Sequence, residues 1–126
     1  MNNQMIILGS NYQQAVEEFY RQKRGSNPDL REALAYLDEE ASEFYATVED
    51  DIFRVISIED VDRKHFAKEA ADLMFTLYGV AITVGVDLDE AFRLVAESNM
   101  TKQKTPEGKV IKGPDYIEPN MESALL

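Results

Sequence analysis

Apolar residues recur at helical spacing through most of the chain. Tyr12, Ala15, Val16, Phe19 and Tyr20 predict a first helix from about Asn11 to Arg24. Ser10 is placed to cap its start. Arg21, Lys23 and Arg24 suit its C-terminal dipole, and Gly25 its end. A second stripe, Leu30, Ala33, Leu34, Leu37, Ala41, Phe44 and Val48, follows a capping-box pattern at Asp29 and Glu32. This helix is expected to fray within "EDDIFRVIS". A third helix is expected from after Ser57 to about Val84, with Gly85 near its end. A fourth runs from Asp87 to about Met100, with Leu88, Ala91, Phe92 and Val95 as its buried face.

Beyond Met100 the helical period stops. "TKQKTPEGKVIKGPDYIEPN" carries three prolines and two glycines, which break helices and favour turns. The pattern therefore predicts an all-α, four-helix bundle-like unit with a C-terminal loop or hairpin segment. Its 126 residues fit one domain, with a helical core over about 11–102 and a basic tail over about 103–119.

The third helix sharpens this picture. In "KEAADLMFTLYGVAITVGV", Phe66, Ala70, Leu73, Leu77, Val80 and Val84 share one face. Met74, Phe75, Tyr78 and Ile82 cover much of the rest, so the helix is apolar nearly all round and central to its assembly. Glu69 and Asp72 nevertheless sit on one narrow stripe. Carboxylates there are costly unless paired or bound to metal. "LDEEASEF" on the second helix repeats the spacing, with Glu40 and Glu43 three apart and Glu39 further round. Antiparallel packing of these helices would bring four acids together, and their repulsion would call for a hard cation. Oxygen-only ligation suits Mg²⁺ or Mn²⁺. Acid pairs at this spacing are also common on solvated helix faces, which is the competing account of Glu40 and Glu43.

Net charge is −11, yet four of the seven lysines, Lys102, Lys104, Lys109 and Lys112, lie in the tail. Asn99 and Lys102 stand one turn apart at the end of the fourth helix. A lysine-rich segment near acid-bound metal would suit a polyphosphate, although it could equally be a solubilising tail. The acidic balance argues against duplex nucleic acid as a partner. With no cysteine and a single histidine, His65, zinc–thiolate and multi-histidine sites within one chain are excluded. His65 itself is expected to be structural. The N-terminus lacks a basic n-region, and the run from Ala70 to Val86 falls short of the roughly 20 residues that span a bilayer. The expected compartment is the cytoplasm, of a bacterium or a phage-infected host. Tyr12, Tyr20, Tyr36, Tyr45 and Tyr78 read as core or interface residues rather than base-stacking platforms. Tyr116, in the tail, is the exception and counts as a candidate substrate contact.

"EEASE" followed by "EAAD" resembles the E-x-x-E…E-x-x-D signature of the MazG-like all-α nucleoside triphosphate pyrophosphohydrolases. Dimeric dUTPases and phosphoribosyl-ATP pyrophosphohydrolases are relatives of that family. The tail "ESNMTKQKTPEGKVIKGPDYIEP" is similar to the C-terminal part of short, often phage-encoded members, and the resemblance covers roughly residues 11 to 119. It implies Mg²⁺-dependent cleavage of a nucleoside triphosphate between the α and β phosphates, with Mn²⁺ able to substitute. By resemblance Glu40, Glu43, Glu69 and Asp72 would hold metal, and Glu39 would orient or deprotonate the attacking water. Asn99, Lys102, Lys109 and Lys112 would hold phosphates. The resemblance also implies a dimer or dimer of dimers with the site near a subunit interface. The phage-like tail favours a purine substrate such as dGTP or GTP. Alternatives are phosphoribosyl-ATP pyrophosphohydrolase activity in histidine synthesis, a non-catalytic helical interaction protein, and a di-iron carboxylate bundle. For the last, only Asp62 and His65 approximate the required Glu-x-x-His unit.

Overall fold

A computed structural model describes residues 11–53 and 57–126. Four helices form in the expected order: α1 Tyr12–Lys23, α2 Leu30–Val48, α3 Arg63–Val84 and α4 Leu88–Asn99. Ser10 lies outside the described residues, and Asn11, at the N-cap of α1, makes no side-chain cap. At the start of α2 the Asp29 carboxylate accepts from the Glu32 N–H, and Asp87 caps α4 by accepting from the Glu90 N–H.

Two boundaries differ from the sequence expectation. After Val48 the chain continues as a π-helical turn, Glu49–Phe53. The third helix does not begin directly after Ser57: Ile58–Asp60 form a 3₁₀ turn capped by Ser57, and α3 starts afresh at Arg63. Asp62 causes this restart, since its side chain accepts from the His65 N–H and so fixes a new N-terminus. The tail forms a small antiparallel hairpin, β1 Gln103–Lys104 with β2 Val110–Ile111, turning at Gly108, whose φ of 88° favours glycine.

The main seam is α2 against α3. Thr83, near the end of α3, donates to the Pro28 carbonyl just before α2, and Phe44 meets Phe66 at the opposite end with centroids 5.8 Å apart. The two helices are therefore antiparallel. Helix α1 lies across α3, with Val16, Tyr20, Tyr78 and Ile82 as the buried cluster. Gly79 permits this approach, because a Cβ there would stand 2.8 Å from the Tyr20 hydroxyl.

Polar clamps lock α1 to the α3–α4 turn. The buried Gln13 donates from Nε2 to the Val86 carbonyl (2.9 Å) and accepts at Oε1 from the Leu88 N–H (3.2 Å). Asp89 accepts from the Gln13 N–H (3.0 Å) and the Tyr78 hydroxyl (2.5 Å). Burial pushes the Tyr78 phenol up, and the hydrogen bond to Asp89 adds to the rise. Beside this clamp the C-terminal residues close over the turn, with Asp87 N–H donating to the Ala124 carbonyl and Leu126 N–H to that of Gly85.

Much of the apolar surface finds no cover within the chain. Phe92 and Val95, expected to be buried, are 71% and 39% exposed. Leu30 and Leu34 on α2 and Leu77 and Val84 on α3 are also open. Their helical spacing is correct, but four short helices cannot wrap a helix that is apolar on every side. Among the described residues, no helix is long and apolar enough to cross a membrane.

The Gln13 clamp gives a stability test. Gln13→Ala strands the Val86 carbonyl and the Leu88 N–H, so urea unfolding should show a loss of about 2 kcal/mol, whereas the exposed Gln14→Ala should change little.

Candidate metal and nucleotide site

The α2–α3 seam carries the acids. Because the helices run antiparallel, the middle of α2 faces the first half of α3. One carboxylate oxygen each from Glu40, Glu43 and Glu69 lies within 4.8 Å of the others. Glu69 is only 8% exposed, in keeping with its place on an apolar helix. Glu40 is half-buried and Glu43 opens to solvent.

Two features separate this cluster from ordinary surface acids. The Oε2 atoms of Glu40 and Glu69 are buried and accept no hydrogen bond. Such atoms carry a desolvation cost that something must offset. Burial also pushes the Glu40 carboxyl up from its ordinary value, and the charges of Glu43, Asp72 and Glu69 raise it further. A hard cation fits both the donor set and the spacing. Octahedral Mg²⁺ with bonds of about 2.1 Å places its ligand oxygens about 3 to 4 Å apart.

Asp72 stands beside this cluster but is held differently. Lys68 Nζ lies 2.7 Å from Asp72 Oδ2 and 3.7 Å from Glu69 Oε1. These partners hold the Lys68 ammonium above its usual range, the hydrogen bond to Asp72 most of all. His65 Nε2 is 3.6 Å from Glu69 Oε1. Lys68 does not stand out in the sequence because an exposed lysine on a helix looks like solvated charge. Its spacing four residues before Asp72 was the available signal.

Glu39 is exposed on α2 and, with Glu40, lines a cleft bounded by Phe19, Tyr36 and Phe75. The tail residues lie elsewhere. Asn99 ends α4 and its carbonyl accepts from the Lys102 N–H. Ser98 donates to the Ile117 carbonyl and lies 3.2 Å from the Tyr116 hydroxyl. Lys112 sits 4.9 Å from the Tyr116 ring centre and 3.7 Å from Glu118, while Lys109 caps the hairpin turn through Thr105. Among the described residues, none of Asn99, Lys102, Lys109, Lys112 or Tyr116 bonds to the acids of α2 and α3. The structure thus unites Glu40, Glu43 and Glu69, keeps Asp72 and Glu39 at the edge, and leaves the tail on α4.

The crowding of like charges predicts a signature. Without divalent cation at neutral pH, Glu40→Gln should melt at a higher temperature than the parent. Saturating Mg²⁺ or Mn²⁺ should raise the parent's melting temperature by several degrees and the variant's by much less. Destabilisation of the metal-free variant, with no metal response in the parent, would count against a cation site.

No curated protein matches the chain at a significant level. A family model does: phosphoribosyl-ATP pyrophosphohydrolase matches residues 4–99, which include both carboxylate pairs and stop where the tail begins. With most of its length matched, and with helices that bring those carboxylates together, the chain belongs to the phosphoribosyl-ATP pyrophosphohydrolase family and carries a nucleotide pyrophosphohydrolase-type activity.

Proposed function

We propose that the protein is a Mg²⁺-dependent pyrophosphohydrolase that cleaves a nucleoside or deoxynucleoside triphosphate between the α and β phosphates. A purine such as dGTP or GTP is the favoured substrate. The observation that carries this reading is the convergence of Glu40, Glu43 and Glu69, two of which also carry a buried, unpartnered carboxylate oxygen. Glu40, Glu43 and Glu69 would hold the cation, with Asp72, paired with Lys68 beside them, as the fourth candidate ligand. When bound, the cation sets positive charge against the triphosphate and acidifies nearby water.

The chain's residues supply the remaining steps. Glu39, exposed beside the cluster, orients a water and accepts its proton as the water oxygen bonds to the α-phosphorus. The bond from that phosphorus to the α–β bridging oxygen breaks, and pyrophosphate leaves with the electron pair. Asn99, Lys102, Lys109 and Lys112 contact phosphate, with Tyr116 packed beside Lys112. Since these groups lie on α4 and the tail, we assign them to the site of a neighbouring copy. Open Leu30, Leu34, Leu77 and Val84 support pairing of α2 and α3 with a second chain. A dimer or dimer of dimers follows, in the cytoplasm of a bacterium or phage-infected cell.

The family match favours a second reading, in which phosphoribosyl-ATP is the substrate. The two share the metal and the bond cleaved. A panel of the eight common NTPs and dNTPs with phosphoribosyl-ATP, scored for pyrophosphate, separates them. Turnover of a purine triphosphate at least tenfold above phosphoribosyl-ATP is expected. Glu43→Gln and Asp72→Asn should each lower pyrophosphate release by about a hundredfold or more. An active parent with unaffected variants would remove these residues from the mechanism. No pyrophosphate from any substrate would leave a non-catalytic helical protein.

A further inference from the structure

Among the described residues, two sizeable clefts lie near the helical core, and they differ in chemistry. The larger, about 730 Å³, lies among the start of α1, α3 and α4. Asp87, Asp89 and Glu90 line it against a single cation, Arg93, so its charge repels phosphorylated ligands. None of Glu40, Glu43 and Glu69 reaches it.

The smaller cleft, about 470 Å³, opens where α1, α2 and α3 meet. Its aromatic walls, Phe19, Tyr36 and Phe75 with the buried Tyr20 behind Phe19, come from three different helices. Phe19 and Phe75 meet edge to face, with centroids 5.1 Å apart and planes at 85°. Phe19 and Tyr36 are each 40% exposed, so their rings present open surface. Tyr36 is nonetheless held in place, since its hydroxyl donates to Glu32 Oε2 (3.0 Å) while Glu32 Oε1 pairs with Arg24. Two cations line the cleft: Arg24 is taken up by Glu32, whereas Lys23 forms no ion pair among the described residues. The cleft also runs into the acid cluster, because Glu40 lines both.

We propose that this cleft is the nucleobase pocket of the enzyme. The base enters among Phe19, Tyr36 and Phe75, the Lys23 ammonium donates to its acceptor edge, and Glu40 marks where pocket gives way to phosphate site. This rests on the pyrophosphohydrolase reading and extends it from the bond cleaved to the base held. Aromatic faces stack any base, so they supply affinity without choice. Lys23 supplies the choice. Guanine offers O6 and N7 as adjacent acceptors, whereas adenine places its N6 amino donor at the equivalent position. A guanine nucleotide should therefore bind better than its adenine counterpart. The aromatic pocket was illegible in the sequence because its walls stand far apart along the chain.

The test is calorimetric titration, with Mn²⁺ present, of the non-hydrolysable α,β-methylene analogues of dGTP and dATP, alongside inorganic tripolyphosphate, which has no base. Phe19→Ala and Tyr36→Ala should each weaken dGTP-analogue binding by about tenfold and leave tripolyphosphate affinity within about twofold, since the metal and phosphate contacts remain. Lys23→Gln should erase most of the preference for the dGTP over the dATP analogue. Phe19→Leu keeps an apolar side chain of nearer size without the ring, so the same loss there, with an unchanged melting temperature, excludes misfolding as the cause. The proposal fails if the aromatic variants bind the dGTP analogue as the parent does. It fails equally if they lose tripolyphosphate in parallel, or change only the sedimentation of the protein, which would make the cleft a subunit interface. These failures are distinct from failure of the enzymatic reading, which would show as a parent releasing no pyrophosphate from any nucleotide.

Discussion

The structure depends on an electrostatic conflict built into the α2–α3 seam. A helix apolar on nearly every side must be buried, yet it carries Glu69 into the interior. The helix that covers it contributes Glu40 and Glu43 at the same level. Isolated carboxylates in such a place are expensive, and neighbouring ones more so. Within the chain, Lys68 and His65 approach one side of Glu69, but the buried oxygens of Glu40 and Glu69 stay without hydrogen bonds. The seam thus gathers an all-oxygen donor set of the kind that suits a hard divalent cation.

The remaining elements hold that seam in position. Gln13 and Asp89 fix α1 to the α3–α4 turn, and the C-terminal residues pair across the same turn. Fixing the start of α1 carries Phe19 along the helix to Phe75, which builds the aromatic cleft beside Glu40. A clamp at one end of the molecule thereby shapes the cleft at the middle. The tail hairpin packs with α4 instead, away from the acids of the seam.

How much of this could be read from the sequence follows from the range of each interaction. Helices, and the caps at Asp29 and Asp87, are set by residues three or four apart, and apart from the later start of α3 they formed where periodicity placed them. The acid pairs stood out because α3 has so little polar surface to offer, and antiparallel packing does bring Glu40, Glu43 and Glu69 together. Periodicity says that a face is apolar, not that this chain covers it. Phe92 and Val95 were accordingly expected inside and lie outside. The Lys68–Asp72 pair was within local reach but hidden by its ordinary look. The cleft among Phe19, Tyr36 and Phe75 rests on contacts between three helices, which no local pattern encodes.

The most direct test of the seam as a cation site is crystallographic. Crystals of the full chain grown with Mn²⁺ should show an anomalous difference peak at the manganese edge among Glu40, Glu43 and Glu69, with the Glu40 and Glu69 oxygens about 2.2 Å from it. A crystal grown in saturating Mn²⁺ with the Lys68–Asp72 pair intact and no peak between α2 and α3 would contradict the account.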